Sequence, residues 1–465
     1  MLFSSISFLY YFLPILLLVY FIVPSRFKNI ILLLFSLFFY FYGEPEYIWI
    51  LLLSCVINFY AGKQIGKHLN TRYATGVLVG SIIIDLSLLF YFKYSNFMIT
   101  NINQLFSTKI SLLYVVMPIG ISFFTFQTIG YVVDVYRGKV IYNSKFLDFA
   151  TYVTLFPQLI AGPIVRYTTV EESLKYRTHS YELFAKGVGR FVIGLSKKVL
   201  LANMLGEFCH HLTVLPNPTI ISSWLNAIGS ALQIYFDFSG YSDMAIGLGL
   251  LFGFHFLENF NYPFIASSIT DFWRRWHISL SSWLKDYVYI PLGGSRVSTF
   301  KWIRNIFIVW FLTGFWHGAA WNFIFWGLYF AVFLLIEKLC LGSFIKNHPI
   351  LAHFYTIFIV LISFVIFNGS SMQVIGIKLQ NMFGLGHLSW MNHETFYYVR
   401  SGMILLIISI IASTPLWSKV IKKVRNTKWN QCLILLEPIC YIVLILVCTA
   451  FLIDDSFNPF LYFRF

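Results

Sequence analysis

Apolar stretches long enough to enter a bilayer recur from one end of this chain to the other, and that recurrence constrains the fold more than any other feature. They lie near 7–24, 29–43, 47–62, 75–95, 112–135, 149–163, 184–203, 220–238, 242–257, 303–315, 322–338, 351–367, 400–415 and 432–453. Lipid offers no water to backbone N–H and C=O groups, so a crossing segment must satisfy them itself, as a helix does. A full crossing takes roughly 20 residues. Several stretches are shorter, so the sequence predicts about eleven transmembrane helices plus tilted, re-entrant and interfacial pieces buried in protein. The expected fold class is an all-α polytopic integral membrane protein. With no soluble domain, linker, internal repeat or low-complexity tract in view, residues 1–465 read as a single domain.

Composition supports this. The chain is 58% hydrophobic and 11% charged, where soluble domains carry about a quarter charged residues. Its 20% aromatic content, with 51 Phe, suits lipid contact and interfacial belts. The formal charge of +14 marks cytoplasmic loops rather than nucleic-acid binding. The early loops alternate: "SRFKN" is basic, "GEPE" acidic, "GKQIGKHLNTR" basic, the loop near 96–108 nearly neutral, and "RGK" basic. By the positive-inside rule the N-terminus lies outside. "SKVIKKVRNTK" at 418–428 is cytoplasmic by the same rule, so the last span carries "DDSFNPFLYFRF" and the C-terminus outside. The opening "MLFSSISFLYYFLPILLLVYFIV" lacks a basic n-region and a cleavage site, and reads as a first membrane helix. Cys55, Cys209, Cys340, Cys432, Cys440 and Cys448 show no CxxC spacing and read as buried small hydrophobes, not disulfides or metal ligands.

The middle of the chain is different. "FPQLIAGPIVRY" at 156–167 and "QIYFDFSGYSDMAIG" at 233–247 place Gln, Gly, Pro and two aspartates around a Ser-Gly turn within apolar runs. Such groups are tolerated at membrane depth only inside protein or along a wet cavity. A polar interior is therefore expected between roughly residues 118 and 330.

"DFWRRWHISLSSWLKDYVYIPLGGSR" at 271–296 concentrates charge. Between Arg274 and Arg304 the chain has six cations against one acid, Asp286, a local net of +5, with Trp273, Trp276 and Trp283 near them. This suits an amphipathic element at the cytoplasmic interface. It reads either as a headgroup anchor contacting membrane lipid or as a landing site for an anionic ligand such as the phosphates of a coenzyme A thioester. The "GGS" at 293–295 adds backbone donors at most. On a helix, His277 has Trp273, Arg274 and Ser281 as neighbours, and the nearby cation keeps its imidazole neutral. It is either an interfacial aromatic or an acceptor of protons and hydrogen bonds.

His317, in "TGFWHGAAWNFIFWG", stands among residues that read as lipid or core. If helical, its face carries Thr313, Gly314, Ala320 and Trp321. Small neighbours admit a second helix or a ligand. His317 is either a packed histidine hydrogen-bonded to backbone or Thr313, or a general base with the ordinary imidazole pKa of about 6.5. The pattern leaves both open.

"FWRRWHISLSSWLKDYVYIPLGGSR" followed by "TGFWHGAAWNFIFWG" resembles the signature pair of the membrane-bound O-acyltransferase (MBOAT) superfamily. More narrowly it is similar to the branch with the alginate O-acetyltransferase membrane subunit and peptidoglycan and other cell-envelope polysaccharide O-acetyltransferases. The likeness extends over nearly the whole chain, through the opening segment, "QLIAGPIVRY", "QIYFDFSGYSDMAIGLGLLFGF" and the closing "NPFLYFRF". One departure is Asn368 in "FVIFNGSSMQ", where the family commonly has Arg; no role is assigned to 364–380.

The resemblance implies a central funnel open to both faces of the cell (cytoplasmic or inner) membrane, with the family's invariant histidine at His317 and its partner at His277. It implies an acyl-CoA donor, acetyl-CoA above all, entering from the cytoplasm as a substrate, with no bound cofactor. The acceptor it implies is a hydroxyl of an extracytoplasmic polysaccharide, reached directly or through an acetyltransferase- or esterase-like partner protein outside. In this scheme His317 deprotonates the attacking hydroxyl, a contribution of roughly 10²–10⁴-fold. His277 orients the thioester or polarises its carbonyl. Arg274, Arg275 and Trp316 face the donor, while Gln158, Asp237, Tyr241 and Asn322 line the polar interior or simply bond helix to helix. The alternatives are transfer to teichoic acid or to a lipid or protein hydroxyl, and a transporter or flippase, which shares intramembrane aspartates but usually shows internal repeats. His210 and His211 lack the spacing of a metal site.

Overall fold

The computed structural model describes residues 1–160 and 162–454. The closing "NPFLYFRF" and the side on which the C-terminus emerges lie outside the described residues. Within them the chain forms helices and connecting segments without a strand. Seven helices are long and apolar enough to cross a membrane: Ser25–Gly43, Ile48–Lys67, Arg72–Phe106, Trp321–Asn347, Pro349–Phe367, His393–Ala412 and Asn430–Asp454. The protein is a membrane protein. The sequence suggests about eleven crossings, and the helices beyond these seven are shorter, more polar or interrupted. The stretch 149–163 is broken by an extended Leu155 before Pro157, between the helices Phe146–Thr154 and Phe156–Leu159. The run expected from 112 becomes helical only at Ile121, because Pro118 and a left-handed Gly120 (φ 77°) precede it. Three of the six cysteines, Cys340, Cys432 and Cys440, are exposed rather than buried, and all six are free thiols.

Contacts group into two compact units: Met1–Phe191 with Met244–Leu257, and Val192–Asp243 with Glu258–Phe465. In the first, the Ile48–Lys67, Arg72–Phe106 and Ile121–Tyr136 helices meet at Asp85. Its carboxylate accepts from Asn58 Nδ2 (3.0 Å), Ser54 Oγ (3.4 Å) and Thr128 Oγ1 (3.2 Å). Buried polar groups in a membrane protein hold helices together in this way.

In the second unit, a π-helical segment at Lys197–Asn203 follows the Tyr181–Ser196 helix. It faces the Ile220–Leu251 helix, which runs without a break through Ser239 and Gly240. The expected Ser-Gly turn is therefore a site of close packing. A Cβ at Gly240 would lie 2.7 Å from the Gly194 carbonyl oxygen. The aspartates on either side face lysines across this contact: Lys198–Asp237 at 2.6 Å, both side chains 3% exposed, and Lys197–Asp243 at 2.7 Å. A core of Tyr235, Phe236, Phe272, Trp273, Trp276, Trp326, Phe330, Phe364 and Phe367 fills the space beside them. Trp273, Trp276 and Trp283 are thus buried core residues, not interfacial ones. The apolar area they carry outweighs a headgroup position for their indole N–H.

Candidate functional site

The cationic stretch is two short helices, not one. Ser268 caps Ile269–Arg275 by accepting from the Asp271 N–H (2.9 Å), and the helix stops at Trp276, whose backbone is extended. His277 follows in the left-handed region (φ 44°, ψ 53°), and Ile278–Leu284 begins after it. His277 therefore shares no helix with Trp273 or Arg274, and as the N-cap of the second helix it meets Ser281 through the backbone alone, its carbonyl accepting from the Ser281 N–H (3.1 Å). A β-substituted residue in this conformation costs about 1–3 kcal/mol unless its surroundings hold it. Here the backbone at 259–261 does so: Ile278 N–H donates to the Asn259 carbonyl (3.0 Å) and Asn261 N–H to that of Arg275 (2.9 Å). The Glu337 carboxylate clamps the start of this element, accepting from the Ile269 and Thr270 N–H groups.

Asn259 also fixes the imidazole. Its Oδ1 accepts from the Ser279 backbone N–H (3.2 Å) and Ser279 Oγ (2.9 Å), and its Nδ2 donates to Ser242 Oγ (3.1 Å). Because a backbone N–H can only donate, the Asn259 atom facing His277 Nδ1 at 3.1 Å is the oxygen. His277 Nδ1 therefore carries the hydrogen, and Nε2 presents its lone pair. Burial pushes the His277 pKa down to about 3, so the ring is neutral. The sequence argument ascribed neutrality to an adjacent cation. Instead, Arg274 is exposed at the surface and Arg275 is tied to Asp271 (3.0 Å) and the Asn261 carbonyl (3.3 Å).

His317 is the last residue of the Thr299–His317 helix; Gly318 is extended and the next helix opens at Trp321. Ala320 and Trp321 are consequently not on its helical face. Gly314 and Gly327 bring these two helices into backbone contact: a Cβ at Gly327 would strike the Trp310 carbonyl oxygen, and one at Gly314 that of Phe323. The small residues near His317 serve helix approach. Thr313 donates to the Val309 carbonyl (2.7 Å) rather than to His317.

The two short elements and this helix end bring the imidazoles together, with ring centroids 6.5 Å apart and both residues buried. Around His317 stand Trp316 (4.9 Å), Trp326 (5.0 Å, 89°) and Phe367 (5.4 Å, 83°). Around His277 stand Phe238 (4.7 Å, 89°) and Trp316 (5.9 Å). This is a buried aromatic cage holding two imidazoles, one of fixed tautomer. Such a site can accept a proton from a bound hydroxyl and strengthens any hydrogen bond made within it.

Trp316 is thus beside both histidines. Asn322 is buried and donates to the Phe367 carbonyl (3.0 Å), tying its helix to the one that carries that ring. Tyr241 is buried in the Ile220–Leu251 helix and Asp237 is ion-paired with Lys198. Gln158 belongs to the other unit, where its amide donates to the Tyr152 carbonyl across the Leu155 break. Sequence reasoning did not single out Asn259, Phe238, Trp326, Phe367 or the Lys197–Lys198 doublet. The doublet was detectable, since two lysines in an apolar run need counter-charges. Asn259 was not, because its partner is 18 positions away in an irregular segment.

At one end of this unit lie the cationic segment and the basic Leu416–Arg425 helix, joined by the Tyr262–Ser418 hydroxyl contact (2.8 Å). Near the other, where Ile220 and Ile221 bond to Ser389 and Trp390, is a cavity of about 140 Å³. Ser222, Ser223, Asn226, Asn368, Lys378 and Asn381 are among its lining residues. Asn368 is adjacent to Phe367, so the helix that walls His317 also ends at this cavity.

The profile of the membrane-bound O-acyltransferase family matches residues 37–379. A protein of Pseudomonas aeruginosa named as a probable alginate O-acetylase is 40% identical over 444 residues, 92% of this chain and 85% of its own length. The peptidoglycan O-acetyltransferase of Helicobacter pylori is 36% identical over 447 residues, 87% of this chain and 85% of its own. The teichoic acid D-alanyltransferase of Bacillus subtilis is 31% identical over 228 residues, 46% of this chain and 58% of its own.

Proposed function

The chain belongs to the membrane-bound O-acyltransferase family, and from that premise we propose that it carries an acetyl group from cytoplasmic acetyl-CoA to hydroxyls of an extracytoplasmic polysaccharide. That it is a membrane O-acyltransferase, and not a transporter, follows from the family and these relatives. The finer reading is supported above all by the buried His277–His317 pair within its aromatic cage, between a cationic end and a hydroxyl- and amide-lined cavity. We set the cationic end in the cytoplasm and the cavity outside, on the rule that basic segments stay cytoplasmic. The whole chain then acts as one acyltransferase domain of the inner membrane, with its N-terminus outside.

The acceptor oxygen attacks the thioester carbonyl carbon while its proton passes to His317. The C–S bond then breaks, and the leaving sulfur takes that proton back, so the imidazole ends neutral. His277 cannot donate through Nε2 while Nδ1–H is held by Asn259. Of its two possible roles this favours orienting the donor, by accepting a hydrogen bond from an N–H of the thioester arm. Arg274 at the surface meets coenzyme phosphates, and Arg275 stiffens the entrance through Asp271. An acetyltransferase- or esterase-like partner outside receives the acetyl group where the glycan itself cannot reach the cavity. Because the teichoic acid relative spans only about half of either chain, the polysaccharide relatives guide the choice of acceptor.

The test uses sealed membrane vesicles of both orientations given radiolabelled acetyl-CoA. Label should reach the glycan or the partner only when the donor is on the cytoplasmic face. Equal labelling from either face, or none from acetyl-CoA where another thioester succeeds, contradicts the donor and direction proposed.

A further inference from the structure

Two cations, Lys28 and Arg177, and the imidazole of His179 converge on one tyrosine in the first unit. Arg177 Nη1 donates to the Tyr20 hydroxyl (3.0 Å), and that hydroxyl donates to the Phe252 carbonyl (3.0 Å). His179 Nε2 stands 3.4 Å from the same oxygen, and Lys28 Nζ lies 4.7 Å above the Tyr20 ring. The guanidinium of Arg177 also stacks on Phe254 at 4.7 Å.

Among the described residues no carboxylate pairs with Lys28, Arg177 or His179. Glu171 and Glu182 pair instead with Lys175 (2.8 Å) and Lys186 (2.6 Å), and Asp148 accepts from the Asn29 amide (2.6 Å). The positive field is felt within the cluster, since the His179 pKa is lowered by burial and then by Lys28 and Arg177. Directly beside it opens a cavity of about 520 Å³ lined by Phe21, His179, Leu183, Phe184, Leu250 and Leu251. Phe21 carries Lys28 on its ring (5.4 Å) and touches both His179 (5.6 Å) and Phe184 (5.9 Å). Lys28 stands in the first turn of the Ser25–Gly43 span, so the cluster marks one end of that span.

A largely apolar cavity that His179 lines, with Lys28 next to it on the Phe21 ring and Arg177 behind Tyr20, matches one kind of molecule, an anionic head on an apolar chain. We propose that this is a binding site for an anionic phospholipid, its phosphate held by Lys28, Arg177 and His179 and an acyl chain lying along Phe21, Phe184 and Leu251. The cation–π contacts keep the basic heads extended toward the headgroup, and the arrangement needs no part of the acyltransferase chemistry.

The test is native mass spectrometry of the full chain released from bilayer nanodiscs of equal phosphatidylglycerol and phosphatidylcholine, with thermal unfolding in matched detergent. Wild-type protein should retain phosphatidylglycerol in preference and unfold at a higher temperature when it is added. Lys28→Gln and His179→Gln should each weaken retention, the lysine variant about fivefold, equivalent to ~1 kcal/mol per basic side chain. The two are chosen because neither breaks the Arg177–Tyr20 hydrogen bond that joins fold elements. Leu251→Arg, which blocks the apolar part, should abolish retention of the lipid while leaving inorganic phosphate without effect. Equal retention of both lipids, retention unchanged by Lys28→Gln and His179→Gln, or a stabilisation by inorganic phosphate matching that by phosphatidylglycerol would overturn the proposal. The last result would reduce the site to a simple anion cluster.

Discussion

Two sets of polar side chains are buried in the same unit, and they are satisfied in opposite ways. Along the contact at Gly240, charges meet charges: Lys198 with Asp237 and Lys197 with Asp243. In the cage, two imidazoles meet rings, and the Asn259 contact at His277 Nδ1 fixes the tautomer whose Nε2 bears the lone pair. An ion pair spends its electrostatic capacity on its partner, so it sets geometry and is costly to break. A neutral imidazole walled by aromatics keeps its capacity for an incoming group. On this view the lysine–aspartate contact holds structure and the cage does chemistry, although both look from sequence like intramembrane polar residues.

The largest expected effect is on the cage. His317→Ala should lower acyl transfer by roughly 10²–10⁴-fold, with unfolding temperature little changed, checked by initial rates and thermal unfolding of the same preparation. The ion-pair side should respond in the opposite sense. Asp237→Asn strands a buried ammonium and should destabilise the fold by about 3–5 kcal/mol, while the paired change Lys198→Met with Asp237→Leu should recover most of that loss and restore transfer. A double variant that is stable but inactive would erase the distinction.

A smaller effect tests the tautomer. Asn259→Ala frees His277 Nδ1 and leaves a polar group unsatisfied, at about 1–3 kcal/mol, so transfer should fall about 5- to 100-fold with a changed pH profile. Asn259→Asp, which still accepts from Nδ1–H, should be milder. The smallest is a pH slope. His277 binds a proton below about 6.5 when unfolded but only near 3 when folded. The unfolded chain therefore holds more protons between those values, and stability falls as pH drops through that window. Unfolding temperatures at pH 7 and pH 5 should show a steeper loss for wild type than for His277→Gln; equal slopes would mean that burial does not hold the ring neutral.

The sequence revealed the membrane class, the helical fold and the family, because apolar runs and spaced motifs are local signals. It also isolated His277 and His317, since an imidazole is conspicuous among apolar residues. It misjudged what depends on three dimensions. "FSGYSD" contains a turn-like Ser-Gly pair, yet Gly240 is there for backbone approach and the helix continues. "FWRRWH" reads as one amphipathic helix, yet the chain breaks at Trp276 so that His277 can turn inward to Asn259. Asn322 takes the second of its two sequence readings, a helix-to-helix bond, by donating to the Phe367 carbonyl. Such partners lie far along the chain, and no local pattern announces them.

The most direct test of the cage is acetyl transfer from radiolabelled acetyl-CoA by membranes carrying wild-type, His317→Ala or His277→Ala protein at matched expression. The account predicts that His317→Ala abolishes labelling and that His277→Ala reduces it. If both variants label like wild type, the two histidines are packing residues and the chemistry lies elsewhere in the chain.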